Sequence, residues 1–142
     1  MNKLSATYLV LYLAIFKISY SEFDGQYLIV PERSIKHKII LPTLGEGDFL
    51  YKSIRDYNHK LLQVIHAYAV NTSTVDTIVN RLVANGGPQF LNLFIDDTLL
   101  QNKYSWESAN FGEFYKLLSE TKTLWRDFKH QLIQAGVTMK PE

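Results

Sequence analysis

Residues 105–135 read SWESANFGEFYKLLSETKTLWRDFKHQLIQA. Within them Phe111, Phe114, Leu118, Thr121, Trp125, Phe128, Leu132 and Ala135 recur at alternating steps of three and four. An α-helix turns once in 3.6 residues, so this spacing holds one stripe on one face. Leu117, Leu124 and Ile133 widen the stripe, Gly136 supplies an end signal, and Pro141 closes the tail. Ser105 and Asn110 are candidate caps, the latter with Glu113 three residues on.

A second long helix is expected over 48–70. Leu50, Ile54, Tyr57, Leu61, Val64 and Tyr68 alternate by four and three, and Asp48 is a candidate N-cap. Between the two long helices lie two shorter candidates. Residues 73–85 place Val75, Ile78, Val79, Leu82 and Val83 at helical spacing behind a Ser73–Asp76 cap. Gly86 and Pro88 then stop that helix and restart the chain. Residues 88–101 fit a helix stripe through Leu91, Phe94, Ile95, Thr98 and Leu99, although 89–95 also suit a strand.

These elements predict an all-α protein, a small bundle whose long helices pack at a shallow, near-antiparallel angle. The alternative is α+β, with short strands in 22–46 and 89–95. Residues 22–47 read as an irregular arm, because Pro31 and Pro42 interrupt two short apolar runs. The arm holds a basic cluster, Arg33, Lys36, His37 and Lys38. A solvated surface explains that cluster most simply; an acidic partner is the sharper reading. The helical domain is expected over 48–136, followed by a tail at 137–142.

The N-terminus carries a different signal. Met1-Asn2-Lys3 precedes an uncharged apolar run from Leu4 to Phe16, and Ser19 and Ser21 stand at −3 and −1 of a cut before Glu22. This is the three-part layout of a secretory signal peptide over residues 1–21. A membrane-spanning helix needs about 20 apolar residues, more than this run supplies. Stable membrane insertion after cleavage is therefore not expected; an uncleaved N-terminal anchor is the alternative. Asn71-Thr72-Ser73 is the only N-glycosylation sequon, and Asn71 is the candidate acceptor.

Composition narrows the classes further. The chain has 142 residues and no cysteine, which excludes disulfide frameworks, thiol catalysis and cysteine-based zinc sites. Its formal charge is +1, without the basic footprint of a nucleic-acid or anionic-membrane binder. His59 and His66 are seven residues apart, about 10.5 Å along a helix, too far to share one ion locally. His130 has Asp127 at i−3, which suits a surface ion pair. Asp96-Asp97 is the only adjacent acidic pair. Nucleophile elbows and phosphate-binding glycine loops are missing from the sequence. No catalytic residue, cofactor or metal site is expected. The expected function is non-enzymatic: a secreted protein that binds an extracellular protein partner. The alternative is a carrier of a small hydrophobic ligand, with Tyr57, Tyr68, Phe114, Trp125 and Phe128 lining a cavity between helices.

Overall fold

The computed structural model describes residues 26–70 and 75–139. The expected signal segment with its cut between Ser21 and Glu22, and the sequon at Asn71, lie outside the described residues. The described chain is all-helical, without strands. Its helices are α1 (Ile29–Ile40), α2 (Gly47–Ala69), α3 (Asp76–Asn85), α4 (Asp97–Tyr104) and α5 (Ser108–Gln134), with a 3-10 turn over Gln89–Asn92 between α3 and α4.

The stripe of α5 works as its spacing requires. Phe114, Leu118, Thr121, Phe128 and Leu132 are buried, with Leu117 beside them. Phe111 and Trp125 are half-buried, and Ala135 at the far end is exposed. On α2, Leu50, Ile54, Tyr57, Leu61 and Val64 are all fully buried. Each such side chain contributes about 1.5–3 kcal/mol on leaving water. α2 is the central element, packed on α1, α3 and α5.

Three expectations change. First, the irregular arm is largely helical, since α1 occupies Ile29–Ile40. Pro31 falls in the first turn, where its missing N–H has no intrahelical partner to lose. Leu28, Glu32, Ile35 and Ile39 form a buried stripe with steps of four, three and four. The charged Glu32 in that stripe hid the periodicity.

Second, the two long helices run parallel. Arg55 pairs with Glu113, Asn58 Nδ2 donates to the Leu117 carbonyl, and the Thr121 hydroxyl donates to Asn58 Oδ1. The separations are 58, 59 and 63 residues, nearly constant down the pair, as parallel strands of contact require. Tyr68 meets Phe128 at the other end. By Lys103 the chain is back at the end where α2 began: the Gly45 N–H donates to the Lys103 carbonyl, and Trp106 stacks on Tyr51 at 5.1 Å. The antiparallel partner of α2 is α1, where the Tyr27 hydroxyl reaches Gln63 and Lys60 Nζ sits 4.4 Å from the Tyr27 ring centroid.

Third, residues 88–101 make neither one continuous helix nor a strand. Asp96 is extended, and its side chain accepts the Leu99 N–H at 3.1 Å, opening α4 afresh. Phe94, expected on a buried stripe, is 87% exposed.

Helix ends agree with the sequence more closely at C-termini than at N-termini. After α3, Gly86 adopts φ +75° and the Gly87 N–H returns to the Leu82 carbonyl, a Schellman closure. After α5, the Val137 N–H returns to Leu132 beside Gly136. At the start of α2, Glu46 holds the N-cap position and Asp48 lies inside the first turn. At the start of α5, Glu107 is the N-cap, and its N–H donates to Asn110 Oδ1 at 2.8 Å. Asn110 is therefore an N3 residue that caps backwards, and Ser105 is the left-handed C-cap of α4.

Candidate functional site

The five aromatic residues expected around one cavity are divided by the fold. Tyr57 is fully buried and meets Phe90 edge-on at 4.9 Å. Phe114 is fully buried 5.2 Å from Trp106. Tyr68, Trp125 and Phe128 come together at the opposite end, with Phe128 at 5.5 Å from Tyr68 and 6.3 Å from Trp125. Their rings are occupied by one another. Of the five, Phe128 also borders an open groove of about 270 Å³ between α2 and α5, shared with Leu62, Ile65, His66, Leu124 and Gln131. Burial there holds the His66 imidazole below its ordinary pKa. Burial pushes the Tyr57 phenol well above its ordinary value, and the nearby Glu32 charge adds to the rise.

Residues that carry reactive chemistry in other proteins have structural work here. Asp96 caps α4, and Asp97 accepts the Tyr115 hydroxyl at 2.5 Å. Burial first, and Asp97 second, push the Tyr115 phenol up to about 12. His59 is exposed and paired with Gln63 at 3.1 Å. His130 is exposed too, and the Asp127 expected to pair with it is engaged by Arg126 at 3.3 Å instead. Among the described residues, no group of three metal-ligating side chains lies within reach of one ion.

The corner between α1 and α2 is different in kind. Ile40, Leu41, Leu44 and Phe49 are 51%, 62%, 76% and 59% exposed, all within ten residues of chain. Scattered exposed apolar residues are ordinary; these four are concentrated on one corner. Two hydrogen bonds tie the end of α1 at this corner. The Leu41 N–H closes α1 on His37 at 2.8 Å, and the Tyr104 hydroxyl donates to the Lys38 carbonyl at 2.8 Å. A shallow recess of about 440 Å³ beside Phe49 is bordered by Lys38, Lys52, Glu46 and Asp56, two charges of each sign.

Sequence reasoning missed this surface. Leu41 and Leu44 flank Pro42 in the segment expected to be an irregular arm, and Phe49 lies beside the apolar stripe of α2 without belonging to it. The available signal was its place off that stripe, one residue before Leu50, which points Phe49 away from the core. No protein-family model, curated protein or solved structure matches the chain.

Proposed function

We propose that this protein is secreted and acts, without catalysing a reaction, by binding an extracellular protein partner through the apolar corner between α1 and α2. The observation that carries the reading is the exposure of Ile40, Leu41, Leu44 and Phe49 on a corner fixed by Tyr104. The mixed charges beside Phe49 favour a protein surface, which presents both signs, over an anionic lipid surface. The location outside the cell rests on the layout of residues 1–21.

The test combines location with contact. The full chain is expressed in secreting cells with a photo-crosslinking residue at Phe49 or, as a control, at the exposed Glu120 of α5. The expected product in the medium begins at Glu22 and carries a removable glycan at Asn71. The expected crosslink forms from position 49 alone and is lost with Leu44→Ser. A full-length product retained in carbonate-washed membranes would instead mean an uncleaved anchor. Equal crosslinking from both positions would remove the corner from the proposal.

The second reading, a carrier of a small hydrophobic ligand, is supported by the groove at His66 and Phe128. Its volume falls just under the range of about 300–1,000 Å³ usual for ligand sites. Trp125 packs on Phe128, so a lipid entering the groove is expected to change Trp125 emission. An unchanged spectrum across a lipid panel counts against the carrier.

A further inference from the structure

The basic cluster of α1 gains a second half in three dimensions. Arg33 and Lys36 of α1, Arg81 and Asn85 of α3, and Gln89 of the 3-10 turn border one recess of about 190 Å³, together with Glu32. Glu32 is only 7% exposed and accepts the Gln89 backbone N–H. Lys36 Nζ is tethered by donation to Gln89 Oε1 at 3.2 Å. Among the described residues, Arg33 has neither an ion pair nor a hydrogen-bond partner for its guanidinium.

Arg33, Lys36 and Arg81 set three cationic side chains beside the single carboxylate Glu32 around a concave site. Such a recess focuses its field on an incoming anion. Guanidinium groups present planar forks that match the oxygens of phosphate or carboxylate. Five side chains able to donate line the recess, whereas a carboxylate offers two oxygens and a tetrahedral oxyanion offers four. The volume is below that of sites for whole drug-sized molecules and suits one anionic group. The lone carboxylate in the wall supplies a further criterion. An ionised Glu32 only accepts hydrogen bonds, so it repels an oxyanion without a proton and accepts from one that carries a P–OH. Hydrogen phosphate has that proton at neutral pH; sulfate does not.

We propose that the recess between α1, α3 and the 3-10 turn is a phosphate site, in which Arg33, Lys36 and Arg81 hold the anion and Glu32 selects protonated phosphate over sulfate. The phosphate is the free ion, because a phosphate monoester, whose second pKa is about 6, carries no P–OH at pH 8. The site shares no residue with the apolar corner, so either proposal stands if the other fails.

Isothermal titration of the full chain at pH 8 and constant ionic strength tests it, with inorganic phosphate, sulfate and phenyl phosphate as separate titrants. The expected result is saturable phosphate binding, with sulfate about tenfold weaker or more. The double variant R33A/R81A removes two exposed side chains and is expected to weaken phosphate about tenfold or more, the scale of one or two charge-assisted hydrogen bonds. Arg126→Ala, at an exposed ion pair on α5 that does not line the recess, is expected to leave it unchanged. Glu32→Gln adds an amide donor and is expected to bring sulfate and phosphate together in affinity. Phenyl phosphate, whose second pKa is about 6, carries no P–OH at pH 8 and is expected to bind about as weakly as sulfate; phenyl phosphate bound as tightly as phosphate overturns the role of Glu32. Phosphate binding that does not saturate, or is the same in R33A/R81A with an unchanged helical circular dichroism spectrum, overturns the proposal. Sulfate bound as tightly as phosphate by the unaltered chain removes the role of Glu32 and overturns it as stated.

Discussion

Two buried polar residues show how a single side chain sets local energetics. Thr121 lies on the apolar stripe of α5 and is fully buried, yet its hydroxyl reaches Asn58 on α2 and the Leu117 carbonyl. It thereby ties the two long helices at their middle. Thr121→Val leaves Asn58 Oδ1 buried without that donor and is expected to cost about 1–3 kcal/mol, read from denaturant unfolding. Glu32 has the opposite balance. Burial raises its pKa above the ordinary 4.5, against the lowering effects of the Gln89 N–H and Lys36. A folded-state pKa raised in this way favours the protonated form. Its contribution is fully present below the unfolded value and lost as pH rises through the folded one. Glu32→Gln is therefore expected to raise the melting temperature at pH 7, with the gain shrinking toward pH 4. His66 works in the reverse sense. Burial lowers its pKa from 6.5, so its contribution is present above that value and lost as pH falls through the folded one. His66→Gln is expected to flatten the loss of stability below about pH 6.5, and a melting series against pH reads both effects.

At the scale of elements, packing strength follows from where turns place small residues. Gly87 has φ +106°, and a Cβ there would stand 2.5 Å from Trp125 Nε1. Gly87→Ala combines left-handed strain with a clash against a ring packed on Phe128. It is expected to cost about 1–3 kcal/mol or more, seen as a lower unfolding midpoint. Asn110→Ala removes the acceptor for the Glu107 N–H and is expected to cost about 0.5–2 kcal/mol. The long helices were legible because their stripes are unbroken over several turns, and the end of α3 because Gly86 takes the left-handed conformation that glycine tolerates best. α1 was illegible because one of its three buried positions is Glu32, which no hydrophobic pattern reports. The segment 88–101 was misread as one helix because Leu91, Phe94, Ile95 and Leu99 keep helical spacing across a chain that Asp96 interrupts. Periodicity does not register a backbone break when the side chain at the break supplies a new cap.

Across the whole molecule, the decisive arrangement is the parallel pairing of α2 and α5 around a returning segment, with α1 laid antiparallel on α2. The apolar corner lies on the outside of that hairpin. Leu44→Ser is expected to shift stability by no more than about 0.5 kcal/mol, since that side chain is exposed and outside the core, while crosslinking from position 49 is expected to be lost. Thermal unfolding beside the crosslinking assay separates those two effects. The sequence by itself determined the helical class and the faces that α2 and α5 bury, because both are consequences of local spacing and of transfer from water. It also carries the signal layout and the absence of cysteine, which are properties of residue order alone. The tertiary structure decided the direction of the long pair, the helical state of the arm, the division of the five aromatic residues, and the meeting of Arg33 with Arg81. Each of those depends on which distant segments touch. Local periodicity fixes the face that a helix buries, but neither the partner it is buried against nor the direction in which that partner runs.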